Sequence, residues 1–324
     1  MQRVLKNMGA CQVVAPAHKE DLFMQRRALL RLGGAISVLA SAAVTGCGGS
    51  DGAQTAHLRA DVRNLHYDDA GNAIEWSPEN NWVRFYDSSN QLKWTFDGAG
   101  TSVGTLNWPS GAVTLGERIY VADFGNSRII VLDRQGALLT QFGEAGPDRD
   151  DFSFVHEPVV GPDQLLYFCD PLHHRVQVFD GNGQWQRSMG QFGTEGEGLN
   201  YPESMAFDAE GLLHVVDSGN GRVVVFTRQG EVVRTYGALG SQPGQMLNPE
   251  GIAIDRSGYV YVSDRGQHLV QIYDGQGQFK ERAAVFLSNG TPAVPGEMCW
   301  RPDGMLHVTA MPDASKGLIS RQYL

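Results

Sequence analysis

The chain has 324 residues, of which 40 are glycine, and its 36 acidic residues outnumber its 26 basic residues. Glycine destabilises helix interiors but suits the positive-φ positions of turns, so this composition argues against a helical bundle. A net charge of −10 also argues against a large phosphate-binding surface, which needs clustered Lys and Arg. We therefore expect no nucleic-acid partner.

Residues 1–46 have the features of an export signal. Arg26 and Arg27 precede an uncharged stretch from Leu32 to Gly46, and a basic segment before a short apolar one is typical of secretory signals. The arginine pair resembles a twin-arginine signal. The ending Val44-Thr45-Gly46-Cys47 resembles a bacterial lipobox, in which the cysteine becomes the lipidated first residue. A buried apolar helix or a single membrane anchor is the alternative, although a membrane span needs about 20 residues.

This interpretation divides the chain into a signal at 1–46, a flexible linker at 47–55 and a folded part at 56–324, with Met24 as an alternative start. We expect an exported monomer, either periplasmic or held at a membrane of the bacterial cell envelope by a lipid on Cys47. The signal contains six basic and two acidic residues, so its removal changes the net charge from −10 to −14.

An internal repeat organises the folded part. Apolar runs end in aspartate at intervals of 47 residues, at Asp123, Asp170, Asp217 and Asp264. Ten residues after each aspartate, a second apolar run ends at Asp133, Asp180, Thr227 and Asp274. The runs are short and β-branched, which favours strands, and Asp/Gly-rich spacers between them suit tight hairpins. Four antiparallel strands at this period predict the blade of a β-propeller.

Weaker copies of the unit flank these four, so the sequence predicts an all-β fold, a six-bladed β-propeller of four-stranded antiparallel blades. The last copy contains a third strand at Gly317–Tyr323 but no fourth. We expect Ala56–Arg63 to complete this blade and close the ring, which removes exposed sheet edges. Cys169 and Cys299 then lie in opposite blades, too far apart for a disulfide, and we expect two free thiols.

The stretch from Gly240 to Asp255, which includes Asn248-Pro249-Glu250-Gly251, resembles the NHL repeat, as does the stretch from Tyr201 to Phe226. The resemblance covers roughly residues 105–285 closely and the flanking copies loosely. It implies a bacterial exported NHL-repeat lipoprotein with a propeller fold. NHL propellers include binding modules and a few enzymes, so the resemblance does not determine an activity.

Acidic residues recur where the inner strands begin, on the face of the propeller that carries the longer loops. We predict that they form a binding site at the central opening, together with a nearby histidine and arginine: His156, Glu157, Glu203, Glu250, Glu297 and Arg265. Converging carboxylates attract hard cations such as calcium, with Glu203 and Glu250 as the candidate ligands. The alternative is a solvated acidic rim.

Other recurring polar residues favour a structural interpretation. Three pairs, Asp123/Arg128, Asp170/Arg175 and Asp217/Arg222, repeat at identical spacing, whereas a catalytic pair should occur once. We expect each aspartate to cap loop amides beside its arginine. His214 and His307 share a blade position with Tyr120, Tyr167 and Tyr261, which predicts packing inside the sheets.

Two functions follow from these observations. The first is a cell-envelope scaffold that binds a protein, peptide or glycan through its long-loop face. The alternative is a metal-dependent enzyme with a cation at the central pore, which would resemble a peptide-amidating lyase or a lactonase. Three central histidines on zinc, as in the lyase, are not visible, so the sequence assigns no catalytic residue and favours the scaffold.

Overall fold

The computed structural model describes residues 58–61, 64–287 and 290–312. The predicted signal, Cys47, the linker and the predicted strand at Gly317–Tyr323 lie outside the described residues. The first strand, β1 (Leu58–Asp61), is followed by five consecutive four-stranded antiparallel sheets. These are the blades of a β-propeller, as the repeat predicts.

The strands of each blade follow one another in the chain. The first blade has β2–β5 at Asn64–Tyr67, Ala73–Ser77, Trp82–Tyr86 and Leu92–Phe96, and the second has β6–β9 at Pro109–Leu115, Arg118–Asp123, Arg128–Asp133 and Leu138–Phe142. The third has β10–β13 at His156–Val160, Leu166–Asp170, Arg175–Phe179 and Trp185–Met189, followed by the short parallel pair β14 (Gln191–Phe192) and β15 (Gly198–Leu199). The fourth has β16–β19 at Pro202–Phe207, Leu213–Asp217, Arg222–Phe226 and Val232–Tyr236, and the fifth has β20–β23 at Pro249–Ile254, Val260–Asp264, Leu269–Tyr273 and Phe279–Ala284.

The sixth sheet has three strands, β24 (Ala293–Trp300), β25 (Leu306–Pro312) and β1. An N-terminal strand thus joins the last blade, as predicted, but it lies directly beside β25 and runs parallel to it. In an up-and-down blade the second and fourth strands run in the same direction. The direction of β1 therefore matches a fourth strand, although β1 occupies the position next to the second.

The first strand of each sheet faces the centre, and each contacts the first strands of the two neighbouring sheets, so that β2, β6, β10, β16, β20 and β24 close a ring. Apolar residues hold the blades face to face. Val83 and Val121, from the first and second blades, are both fully buried in one cluster. The second strands are buried along their whole length in blades three, four and five. This stacking explains the Val- and Ile-rich runs of the repeat.

The recurring Asp/Arg pairs are loop clamps, as the repetition predicts. A short 3-10 turn follows the aspartate in blades two, three and four, at Phe124–Asn126, Pro171–His173 and Ser218–Asn220. Asp217 Oδ1 accepts a hydrogen bond from the Asn200 amide at 2.6 Å, and its Oδ2 accepts one from Arg222 Nε at 2.7 Å. Asp264, in the fifth blade, instead accepts a hydrogen bond from Gln267 Nε2 at 2.7 Å.

The strand register also confirms that His214 and His307 occupy the predicted packing position inside the sheets. His214 pairs with Ala206 and His307 with Cys299, at the position where Tyr120 pairs with Val113. His214 is fully buried between Tyr236 Oη at 2.9 Å and Asp208 Oδ2 at 3.1 Å.

The thiols of Cys169 and Cys299 are free, as expected. Among the described residues, no helix is long and apolar enough to cross a membrane.

Candidate functional site

The inner strands are irregular where the predicted site residues lie. The register of β10, β16, β20 and β24 shifts close to a proline, and each shift includes one acidic residue: Glu157, Glu203, Glu250 and Glu297. Proline cannot donate to a ladder, so it favours a bulge at this point, and a bulge can redirect a side chain. The inner strand of the first blade, β2, has an uninterrupted register and no acidic residue.

Glycine lets these irregular strands approach closely. A Cβ on Gly251 would lie 2.6 Å from the Gly296 carbonyl oxygen, and a Cβ on Gly111 would lie 2.6 Å from Pro158 Cδ. Both distances are shorter than side-chain carbons tolerate. The backbone therefore brings neighbouring inner strands together at the level of the glutamates.

The four glutamates form one electrostatic cluster. Burial raises the pKa of Glu157 to about 7, with a smaller contribution from the charges of Glu250 and Glu203 and against the lowering effect of hydrogen bonds with Ser204 and Glu297. Burial also raises the pKa of Glu297 well above its ordinary value, with Glu157, Glu250 and Glu203 adding to the rise. The convergence predicted from the sequence is thus present.

Two members of the cluster have basic partners. Arg265 Nη1 lies 3.2 Å from Glu250 Oε2. His156 Nε2 lies 3.9 Å from Glu203 Oε2, and His156 Nδ1 contacts the Glu203 carbonyl oxygen at 3.0 Å. These contacts place both predicted basic residues within the cluster, on the side of Glu203 and Glu250.

Glu157 and Glu297 differ from these two. Among the described residues neither carboxyl forms an ion pair, and the Oε2 atom of each is buried, so the two carboxyls interact mainly with each other. Glu297 is only 9% exposed. The hydroxyl of Ser204, which is 1% exposed, is buried beside the carboxyl of Glu157.

A central cavity of about 800 Å³ begins at these two carboxyls. Of the six predicted binding residues, Glu157 and Glu297 line the cavity, whereas His156, Glu203, Glu250 and Arg265 do not. The rest of the lining follows the inner strands to the first hairpins of the blades, at Asp68, Gly161 and Asp208. The cavity therefore extends toward the short-hairpin face, whereas the sequence predicts a site on the long-loop face.

Several lining residues lie outside the predicted binding set. His66, on β2, has its pKa lowered to about 4 by burial, so it is neutral at physiological pH. Trp76 and Trp300 also line the cavity. His66 and Cys299 share the blade position of Val113 and Ala206, so a closer alignment of the two weak copies could have found them.

The calcium prediction gains no support from the geometry. In the part of the chain that the structure describes, no group of three or more His, Cys, Asp or Glu side chains is arranged to hold a metal ion. Glu203 and Glu250 instead face His156 and Arg265, which would compete with a cation for the same oxygens.

Comparisons with known proteins agree on the fold class. A family described as a six-bladed β-propeller matches residues 203–298. No curated protein matches the chain. Among solved structures, a gluconolactonase from Xanthomonas campestris has 16% identity and a TM-score of 0.61, over 86% of this chain and 96% of that one.

Two further structures have the same fold. A catalytically inactive virginiamycin B lyase from Staphylococcus aureus, with quinupristin, has 13% identity and a TM-score of 0.57 over 72% of both chains. A protein of unknown function from Bacteroides caccae has 16% identity and a TM-score of 0.51, over 67% of this chain and 79% of that one. At these identities the likeness concerns the fold, and this chain is an all-β propeller.

Proposed function

We propose that this chain is an NHL-type propeller of the bacterial cell envelope that binds a protein, peptide or glycan by taking an end group of the ligand into the central cavity. The observation that carries the proposal is the position of two carboxyls with buried Oε2 atoms and no ion pair among the described residues, Glu157 and Glu297, at the inner end of that cavity. Ligand sites are typically 300–1,000 Å³ in volume, mostly apolar and equipped with a few convergent polar groups.

The volume lies in this range, and the lining combines apolar and polar surface in similar proportion. Small or flexible apolar residues, among them Ala112, Met205 and Ala253, form much of the wall between the carboxyls and the hairpins. The polar groups are concentrated at the two ends. Such a cavity can bind and orient one end group of a ligand while the rest of the ligand contacts the propeller surface.

A binding experiment with matched variants tests this function. The purified protein is screened against peptide and glycan arrays, and any ligand found is titrated against Ala206→Leu, which narrows the cavity, and Ala284→Leu, which adds the same bulk to an exposed site. Phe192→Ser, at a side chain that is 70% exposed in a blade connection on the long-loop face, tests the face expected from the sequence. Weaker binding by Ala206→Leu alone supports the cavity, whereas weaker binding by Phe192→Ser alone refutes it.

The envelope location is part of the proposal and rests on the sequence of residues 24–47. Mass spectrometry of the mature protein should find a lipid on Cys47. Replacement of Arg26 and Arg27 by lysine should block export. Cys47→Ser should release the folded protein from the membrane fraction, and a chain that stays in the membrane after this change would contradict the anchor.

The enzyme alternative is favoured by one observation, the raised pKa of Glu157, at about 7. A carboxyl that titrates near neutral pH suits general acid–base catalysis, and pairs of carboxyls with separated pKa values are common in active sites. Metal analysis separates this alternative from the binding function. Stoichiometric calcium or zinc that is lost in Glu203→Ala or Glu250→Ala would favour a metal-dependent enzyme, and no thermal shift with a chelator would favour binding alone.

A further inference from the structure

The acidic cluster at the centre contains two kinds of carboxyl. Glu203 and Glu250 face His156 and Arg265, while Glu157 and Glu297 have no ion pair among the described residues. An isolated buried carboxylate is costly, and proteins relieve the cost by protonating the group or by pairing it with a cation. The pair formed by Glu157 and Glu297 therefore requires a proton or a positive charge.

The charge of the cavity favours a cation. Five acidic side chains line it, Asp68, Asp69, Glu157, Asp208 and Glu297, against one basic side chain, Arg134. Arg134 already forms an ion pair with Asp68, at the end of the cavity near the hairpins. His66 adds no positive charge at neutral pH because burial lowers its pKa to about 4. A cavity lined by charges of one sign concentrates ligands of the opposite sign.

The size and walls of the cavity favour an organic cation over a metal ion. A volume of about 800 Å³ far exceeds what a bare ion fills, and the described residues hold no group of three metal-binding side chains. Between the carboxyls and the hairpins the wall includes Met205, Met298 and Trp76. These apolar surfaces suit the carbon skeleton of a ligand whose charge is confined to one end.

We infer that the cavity binds ligands with a free amino group, whose ammonium lies between the carboxyls of Glu157 and Glu297. The inference rests on the proposed binding function and names the ligand chemistry of the same site. The amino terminus of a peptide and an amino sugar both supply this group.

Amine binding is linked to a proton. Before the amine binds, Glu157 and Glu297 share one proton, so the two carboxyls together have fewer than two negative charges. The ammonium then occupies the position of this proton, and the proton is released to solvent. The titratable groups that face the pair are Glu203, Glu250 and the buried thiols of Cys169 and Cys299, and both thiols have a raised pKa. The net change at neutral pH is one ammonium bound and at most one proton released.

Matched amine and acetamide probes test the inference, with the change in tryptophan fluorescence as the readout, since two of the six tryptophans, Trp76 and Trp300, line the cavity. Leucinamide and glucosamine are each compared with their N-acetyl derivatives. We expect each amine that binds to do so about tenfold or more tightly than its acetylated match, which corresponds to about 1.4 kcal/mol. Glu157→Gln and Glu297→Gln should remove this preference, whereas Glu231→Gln, at an exposed glutamate, should leave it unchanged.

Calorimetry in two buffers of different ionisation enthalpy provides a second readout. The wild type should release a fraction of a proton on amine binding at pH 7, and Glu157→Gln should release less. Equal binding of the acetylated probes overturns the amine inference but leaves the cavity as a ligand site. Preference for an amine that survives both glutamine variants also overturns it, and so does the absence of any amine binding, while the Ala206→Leu comparison decides the proposed function independently.

Discussion

Gly251 lies against Glu297 across the boundary between the fifth and sixth sheets, so closely that a Cβ on the glycine would stand 2.9 Å from the Glu297 Cα. The same Cβ would lie 2.6 Å from the carbonyl oxygen of Gly296. A side chain at residue 251 would thus push β20 and β24 apart. The acidic cluster depends on the absence of that side chain.

Gly251→Ala should therefore destabilise the fold by about 1–3 kcal/mol, the usual cost of overpacking a close contact. Its matched control is Gly296→Ala, since a Cβ there would be 3.4 Å from the nearest atom, the Thr309 carbonyl oxygen. Urea unfolding of both variants measures the difference. Equal destabilisation by the two alanines would contradict the close approach.

Glu157→Gln should make the protein more stable above pH 7. The folded-state pKa of Glu157, about 7, lies above its ordinary value of 4.5, so the folded state keeps a proton that the unfolded state loses. This contribution to stability falls as the pH rises from 4.5 to 7, by up to about 3 kcal/mol, and stays constant above that range. Glutamine cannot ionise and removes the dependence.

The measurement is the free energy of unfolding of the wild type and Glu157→Gln at pH 5 and pH 8. Relative to the wild type, Glu157→Gln should have a higher free energy of unfolding at pH 8 than at pH 5. Glu231→Gln, at an exposed glutamate, is the control and should follow the wild type. A difference that is the same at both pH values would mean that Glu157 is ionised throughout.

Arg222→Ala should cost about 3–5 kcal/mol, because it leaves the carboxylate of Asp217 buried without its partner. Asp217 has no exposed surface in the folded state. Lys280→Ala is the control, since Lys280 and Asp274 also form an ion pair, at 2.8 Å, but both are partly exposed. Loss of such a surface pair should cost about 1 kcal/mol or less, and chemical denaturation distinguishes the two.

Removal of β1 should expose the outer edge of β25. A chain that begins at Asn64 lacks the strand beside β25, whereas a chain that begins at Ala56 retains it. The shorter chain should unfold at lower urea and associate in size-exclusion chromatography, because an uncovered strand edge pairs with other chains. If both chains are equally stable and monomeric, β1 does not protect the edge of β25.

The blades could be predicted from the sequence because each repeats one local pattern, as the 47-residue spacing of Asp170 and Asp217 shows. The meeting of Glu157 and Glu297 was predictable for the same reason, since equivalent positions on inner strands face a common centre. The face toward which the cavity extends was not predictable, because it depends on side-chain volumes that differ between the inner strands, as those of Ala206 and Met298 do. The position of β1 depends on a pairing between distant segments, for which no local pattern exists.

The seam between β1 and β25 also sets the order in which the molecule can be assembled. Leu58 pairs with Leu306, so one of the first strands to leave the ribosome must wait for one of the last before its hydrogen bonds form. Contacts between such distant segments slow folding, since the entropy of closing the loop is lost before the contact compensates for it. The individual blades can form during synthesis, but the pairing of β1 is completed only after β25 has emerged.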